Sequence, residues 1–170
     1  MNPIIKYRGG KSKEIIHFVR NMPKEYDRYI EPFLGGGALY FYLQPEKAIV
    51  NDINTRLYEF YKGIQQSYPE MRLQLDGLQK LYEDNQREYE QLKAADPERR
   101  IENKNEELYY AMRDAFNHRT DSEYMDAVIY FFINKTAYSG MIRYNAYGEY
   151  NVPFGRYRNL NTQLITAEHY

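Results

Sequence analysis

The stretch that decides the fold is Glu31-Pro32-Phe33-Leu34-Gly35-Gly36-Gly37, followed by Ala48-Ile49-Val50-Asn51-Asp52-Ile53-Asn54. The first segment is a glycine loop directly after a short apolar run, and the second is a buried-type strand that ends in Asp52. Nucleotide-binding α/β folds hold a ribose with this combination, because glycine lets the backbone approach a ligand and a carboxylate accepts from hydroxyls. The pair therefore predicts an adenosine-containing cofactor without indicating a reaction.

The apolar pattern around these segments predicts a β-α-β-α start to a mixed or parallel sheet. The predicted elements are a helix over 12–21, a strand over 28–30, a helix over 38–43, a strand over 47–51 and a helix capped by Asn54. The alternation then stops, and further helices are predicted over 70–92, 106–117 and 122–136, with a polar loop over 96–105. This change predicts a helical insertion after the second strand.

From residue 137 onward the sequence is rich in Gly, Tyr, Asn and Arg, and residues 141–144 and 147–152 predict the arms and turn of a β-hairpin. Between Lys135 and Arg158 there are four basic residues and one acid, interleaved with aromatic side chains. Such a pattern is typical of nucleic-acid binding, since basic groups meet phosphates and aromatic rings stack on bases. The alternative is an ordinary hairpin whose aromatic residues pack and whose arginines face water.

The remaining composition excludes several classes of function. The 170 residues contain no cysteine, which excludes disulfide and thiolate chemistry and fits a cytoplasmic protein. There is no apolar run long enough to span a membrane, and the three histidines show no metal-ligand spacing, so neither a membrane partner nor a bound metal is expected. The net charge of −1 hides an acidic stretch over 70–107, with eleven acids against seven bases.

Three segments together resemble the cofactor motifs of the Dam-like DNA adenine methyltransferases: 6–11 (Lys-Tyr-Arg-Gly-Gly-Lys), 31–37 and 51–54. The stretch over 134–157, including Gly148-Glu149-Tyr150-Asn151-Val152-Pro153-Phe154-Gly155-Arg156-Tyr157, resembles that family's target-recognition hairpin. The resemblance implies an α/β fold with a Rossmann-like methyltransferase core, incomplete in this chain, a helical insertion and a β-hairpin. It divides the chain into a cofactor-binding part (1–57), a helical target-recognition domain (58–158, hairpin about 137–157) and a return toward the core (159–170).

The resemblance implies S-adenosylmethionine as cofactor and double-stranded DNA as partner. It assigns the cofactor to Tyr7, Lys11, Phe33, Gly35, Gly36, Gly37 and Asp52, and DNA to Arg8, Tyr138, Ser139, Arg143, Asn145, Pro153 and Arg156. Asp52 would hold the ribose hydroxyls, Tyr138 would enter the base stack beside a flipped adenine, and Arg143 would read a guanine, as in a GATC-like site. Taken alone, the 6–11 segment is more simply interpreted as a solvated basic stretch.

The family carries an Asp-Pro-Pro-Tyr motif that binds the target amine, and these 170 residues do not contain it. We therefore expect the chain to be the N-terminal part of a longer enzyme, without a catalytic residue of its own and inactive alone. Two alternatives stay open: a non-catalytic DNA-binding or regulatory remnant of such an enzyme, and a nicotinamide-dependent oxidoreductase. The second explains only the glycine loop and Asp52.

Overall fold

The first part of the fold is a small parallel sheet. The computed structural model describes residues 1–7, 9–118 and 122–164. Strands β1 (Tyr29–Glu31) and β2 (Ala48–Val50) pair in parallel, with Ile30 opposite Ile49. Parallel strands need a crossover connection, and a helix between them supplies it, as the sequence pattern predicted.

The two helices of this part differ in how well their ends were predicted. The first, α1 (Ile15–Phe18), is a single turn that continues as a 3-10 turn over Val19–Asn21, so the predicted helix over 12–21 begins later than expected. The crossover helix α2 (Ala38–Leu43) has the predicted bounds. Its ends are defined because Gly37 and Gln44 on either side adopt left-handed backbone conformations that interrupt the helix.

The second part of the fold is helical and begins with α3 (Thr55–Ala95). The Asn54 side chain caps this helix, as predicted, by accepting a hydrogen bond from the Leu57 N–H at 3.2 Å. The prediction of two helices before residue 95 is confirmed, since the chain bends at Ser67, whose φ of −139° is non-helical, and a second helical segment then runs through Pro69. Proline in the first turn after such a bend loses no internal hydrogen bond, so the helix resumes.

Two further helices complete this part: α4 (Lys104–His118) and α5 (Asp126–Thr136). The predicted start of the last helix at residue 122 was wrong by four residues. Before α5 the Ser122 hydroxyl accepts from the Tyr124 N–H at 3.1 Å, and the Met125 N–H donates to the Gln74 side chain at 2.9 Å. These bonds hold the segment in a turn that competes with helix formation.

Helix α5 forms the centre of the core, because nearly all of its residues are buried between α3 and α4. The backbones of α3 and α5 approach closely at Gly63, where a Cβ would lie 2.5 Å from the Ala127 Cβ. Aromatic rings fill the same interface, with Phe60 parallel to Phe131 at 6.2 Å between centroids. None of the helices in the described part of the chain has both the length and the apolar composition that a membrane span requires.

Much of the sheet is exposed in the described structure. Ile49, in β2, is 50 % exposed, and Ile30 opposite it is exposed as well. Strands of a parallel sheet are usually buried on both faces. The mixture of helices with a two-stranded parallel sheet agrees with an α/β class in which the described residues supply only part of the sheet.

Candidate functional site

The Asp52 carboxylate joins the two segments that the sequence singled out. Its Oδ2 accepts a hydrogen bond from the Gly35 N–H at 2.7 Å, and its Oδ1 accepts from the Asn54 N–H at 2.9 Å. The backbones also pair, with the Leu34 N–H donating to the Asn51 carbonyl at 2.8 Å. Because a carboxylate has about four lone-pair directions, two of them stay available for a ligand.

Tyr7 lies directly on the glycine loop. A Cβ added at Gly36 would be 3.0 Å from the Tyr7 Cβ, and one at Gly35 would be 3.2 Å from its ring. Gly35 also has a φ of +52°, which L side chains rarely adopt, and its carbonyl accepts from the Tyr61 hydroxyl at 3.4 Å. The loop therefore requires glycine both for its conformation and for this contact.

A groove of about 670 Å³ borders this arrangement. It runs along β2 between α2 and α3, and its walls include Leu34, Asp52 and Tyr61. Burial, followed by the charge of Asp52, raises the pKa of Tyr61, so this hydroxyl keeps its proton. Of the residues assigned to the cofactor, Asp52 is the one that lines the groove.

Two of the residues assigned to the cofactor stand apart from this cluster. The Lys11 ammonium pairs with Glu14 at 3.0 Å, and both side chains are more than half exposed. Phe33 is 81 % exposed. Their assignment to the cofactor stays a prediction, and Arg8 lies outside the described residues.

Asn134 is a residue whose position the sequence analysis did not anticipate. It is 3 % exposed, and its amide pairs with the backbone of Lys6: the Oδ1 accepts from Lys6 N–H at 3.2 Å and the Nδ2 donates to the Lys6 carbonyl at 2.9 Å. The next residue, Lys135, donates to the Ile4 carbonyl at 3.0 Å. The last turn of α5 thus fixes the segment that places Tyr7, and the only signal in the sequence is a polar residue in an apolar helix.

The predicted hairpin is present as two isolated antiparallel bridges rather than as continuous strands. Tyr144 bridges Tyr150, and Ala137 bridges Phe154 closer to α5. Helix α4 takes the place of a neighbouring strand, because the Asn117 amide accepts from the Tyr150 N–H at 2.8 Å and donates to its carbonyl at 3.0 Å. The hairpin is therefore held by the helical core rather than by a larger sheet.

The described residues assigned to DNA, all within 138–156, lie on or beside the surface of this hairpin. Tyr138, Ser139 and Pro153 are exposed near its base, and Ser139 has a left-handed φ of 56°. The Arg143 guanidinium donates to the Asn151 side chain at 2.9 Å and to its carbonyl at 3.1 Å. Since these bonds use two of its five N–H groups, the guanidinium is oriented and keeps donors for a base.

Asn145 supports the turn of the hairpin. Its Oδ1 accepts from the N–H groups of Tyr147 and Glu149, both at 2.9 Å, and its Nδ2 donates to the Glu149 carboxylate at 2.9 Å. The Asn145 side chain therefore stabilises the turn of the hairpin. Its assignment to DNA stays a prediction.

The charge of the hairpin is partly balanced within the fold. Arg156 lies 3.5 Å from Glu106, and Arg158 lies 2.9 Å from Glu90, in pairs whose arginine side chains are largely exposed. Lys135 points inward, and burial followed by the charge of Lys6 lowers its pKa. The number of basic residues in the sequence therefore overestimates the positive charge of this surface, because the Lys135 ammonium bonds to the Ile4 carbonyl.

No group of His, Asp or Glu side chains suited to a metal occurs among the residues described.

The chain is similar to known proteins over nearly its whole length. The model of the family described as D12 class N6 adenine-specific DNA methyltransferase matches residues 7–169. The chain is 36 % identical, over 94 % of its length, to the type II methyltransferase M.MjaIII of Methanocaldococcus jannaschii, and covers 54 % of that protein. It is 34 % identical to the type II methyltransferase M1.LlaDCHI of Lactococcus lactis subsp. cremoris, over 94 % of this chain and 49 % of that one.

A third relative is the DNA adenine methylase of Salmonella typhi, 31 % identical over 91 % of this chain and 48 % of the relative. The chain thus spans about half the length of these curated relatives. The family match covers the hairpin as well as the glycine loop and Asp52, whereas the oxidoreductase alternative explained only the glycine loop and Asp52. The chain belongs to the D12 class of N6 adenine-specific DNA methyltransferases.

Proposed function

We propose that this chain binds S-adenosylmethionine and duplex DNA, and that it forms the cofactor-loop and DNA-recognition portion of an enzyme that methylates the exocyclic amine of adenine. The observation that carries the proposal is the hydrogen bond of 2.7 Å between Gly35 and Asp52. It brings together the two predicted cofactor segments beside a groove large enough for a small molecule.

In this proposal Asp52 accepts hydrogen bonds from the ribose hydroxyls with its two available lone pairs. Tyr7 supports the glycine loop from behind, so that the loop backbone can approach the cofactor. S-adenosylmethionine, when bound, supplies an electrophilic methyl group on its sulfonium. The β1–β2 sheet, exposed in the described residues, supports a Rossmann-like core to which further strands add.

The hairpin in this proposal reads the DNA. Arg143, oriented by Asn151, donates to the major-groove edge of a guanine, and Tyr138 enters the base stack beside the flipped adenine. A GATC-like site, a role in restriction-modification and a cytoplasmic location stay predictions. Because the 170 residues contain no Asp-Pro-Pro-Tyr, we propose that methyl transfer requires this motif from additional chain.

The first experiment is calorimetric titration of the chain with S-adenosylmethionine. We expect one-to-one binding that is lost in Asp52→Ala, because both the ribose contact and the anchor of the glycine loop disappear. Asp84→Ala is the matched control, since this carboxylate lies on α3 in an exposed pair with Arg87 at 3.0 Å. The proposal fails if the chain binds no cofactor, or if both variants bind like the wild type.

The second experiment measures DNA affinity by fluorescence anisotropy with duplexes that differ at single guanines. Arg143→Ala should reduce the discrimination at one guanine by about 1–3 kcal/mol. Arg158→Ala is the control, because it removes an exposed arginine that pairs with Glu90. Equal weakening of all duplexes by Arg143→Ala would show that this side chain meets phosphate. DNA binding without any cofactor binding would favour the non-catalytic alternative.

A further inference from the structure

The arginines of the hairpin and of the segment that follows it differ in what their guanidinium groups contact. Arg143 donates to Asn151, a neutral residue. Arg156 lies 3.5 Å from the Glu106 carboxylate, which is long for a hydrogen bond. Arg158 contacts the Glu90 carboxylate with two nitrogens: its Nε lies 2.9 Å from Oε1, and a terminal nitrogen lies 3.0 Å from Oε2. These arginines are therefore not equally available to DNA.

The pair between Arg158 and Glu90 is oriented from both sides. Bidentate arginine–carboxylate contacts are the strongest and most directional of the charged pairs. The Glu90 carboxylate also accepts a hydrogen bond from the Gln86 amide at 2.8 Å, one turn earlier on α3. The backbone next to Arg158 is fixed to the same helix, because the Tyr157 carbonyl accepts from the Tyr82 hydroxyl. The arginine is thus held against α3 through its side chain and through the neighbouring backbone.

Arg158 is nevertheless close to the surface assigned to DNA. It follows Arg156 by two residues, so their Cα atoms lie within about 7 Å of each other. Both side chains are mostly exposed, at 73 % for Arg156 and 75 % for Arg158. Duplex DNA carries one negative charge for about every 1.7 Å of its axis. Where Arg156 meets the duplex, a second phosphate is therefore available to Arg158 once its guanidinium leaves Glu90.

Glu90 and a phosphate compete for the same guanidinium group. Arg158 cannot direct its Nε and the same terminal nitrogen to both anions, so binding to phosphate breaks the bidentate pair. The Glu90 carboxylate would then face the DNA backbone without its counter-ion, and like charges repel. Both costs oppose the gain from the phosphate contact. Arg158 therefore adds little to DNA binding while Glu90 is present.

We infer that Glu90 limits the affinity of this chain for duplex DNA, because its carboxylate holds Arg158 away from the phosphates. The inference rests on the DNA-binding part of the proposed function and adds to it an acid from α3. Phosphate contacts position a protein on DNA without reading its sequence. Glu90 thus weakens binding to all duplexes alike, and base contacts such as that of Arg143 account for a larger share of the binding.

The test is Glu90→Gln, which removes the charge and keeps an oxygen that can accept from Gln86. Fluorescence anisotropy with duplexes that differ at single guanines, repeated at several salt concentrations, gives the affinity and its salt dependence. At low salt we expect all duplexes to bind about two- to fivefold more tightly, with unchanged discrimination among them. The slope of log affinity against log salt should become steeper by about 0.9, the effect of one additional phosphate contact.

Two controls separate the release of Arg158 from the change in net charge. Asp84→Asn removes a carboxylate from the same helix and frees Arg87, an exposed arginine of α3 rather than of the hairpin segment. Its DNA affinity should change less than twofold. Arg158→Ala should bind DNA like the wild type. The double variant Glu90→Gln with Arg158→Ala should lose the gain of Glu90→Gln, because it has no arginine to release.

The outcomes separate this inference from the proposed function. If the wild type binds duplex DNA and Glu90→Gln binds it no more tightly than Asp84→Asn does, the inference alone is overturned. The same holds if the double variant keeps the gain in affinity. A weaker affinity and a shallower salt slope for Arg158→Ala would also overturn it, since this arginine would then already contact phosphate. A wild type that binds no duplex DNA overturns both.

Discussion

The contact between α3 and α5 at Gly63 leads to a prediction with an internal control. A Cβ at this position would lie 2.5 Å from the Ala127 Cβ, whereas carbon atoms in favourable contact are about 3.5–4.0 Å apart. The helices must separate by about 1 Å to admit a methyl group there. Gly77, on the same helix, is exposed and has nothing within 4 Å of a Cβ.

The expected sizes follow from these two environments. Replacing glycine with alanine in a helix interior stabilises it by about 0.5–1 kcal/mol, and both positions gain this equally. Overpacking a close contact costs about 1–3 kcal/mol, and only Gly63 incurs it. We therefore expect Gly77→Ala to raise the free energy of unfolding by about 0.5–1 kcal/mol and Gly63→Ala to lower it by up to about 2.5 kcal/mol.

Urea unfolding of both variants measures this difference directly. The free energy of unfolding of Gly77→Ala minus that of Gly63→Ala gives the steric cost of the methyl group at position 63, because the gain in helix propensity is the same in both variants and cancels. Gly63→Ala should bind both S-adenosylmethionine and DNA more weakly. The reason is that α3 begins next to Asp52 and α5 ends at the base of the hairpin. If Gly63→Ala were stabilised as much as Gly77→Ala, the close approach of the two helices would be refuted.

Two further predictions concern the supports of the site. Asn134→Ala should lower the free energy of unfolding by about 1–3 kcal/mol and weaken cofactor binding, because it leaves the Lys6 N–H and carbonyl unpaired beside Tyr7; unchanged unfolding in urea would contradict this. Burial raises the pKa of the Glu31 carboxyl group above its ordinary value of 4.5. The folded state therefore binds a proton at Glu31 more tightly than the unfolded state does. As the pH rises through the raised pKa, this contribution to the free energy of unfolding is lost. The side chain in Glu31→Gln does not titrate, so the variant serves as the reference. The free energy of unfolding of the wild type minus that of the variant should fall from about pH 4 upward and then level off. A difference that rises with pH would mean that folding lowers the pKa of Glu31.

The sequence was most informative where local chemistry defines an element. Helix α2 has the predicted bounds because backbone conformations at Gly37 and Gln44 stop it on both sides. The cap at Asn54 was predicted for a similar reason, since it needs only a side chain and the N–H three residues later. The glycine loop and Asp52 were predicted to serve one cofactor, and the hydrogen bond between Gly35 and Asp52 agrees with their closeness in space.

What the sequence left out depends on contacts between distant segments. Asn134 was noticed only as part of a motif, because its partner Lys6 lies at the other end of the chain. The lysine after it was counted with the DNA-facing charge, although its ammonium binds the Ile4 carbonyl. The start of α5 was predicted too early, since its periodicity continues through residues whose backbone bonds to Gln74 instead.

The last turn of α5 is where the two halves of the candidate site meet. Asn134 holds the backbone that carries Tyr7 onto the glycine loop, and two residues later the Thr136 carbonyl accepts from the Gly155 N–H at the base of the hairpin, at 2.7 Å. Gly140, also at this base, has no room for a Cβ, which would lie 2.7 Å from the Lys6 side chain. Because close-packed contacts of this kind do not deform independently, the hairpin base cannot shift without moving the segment that supports the glycine loop. The helical part of the fold thus supports both the candidate site and the hairpin.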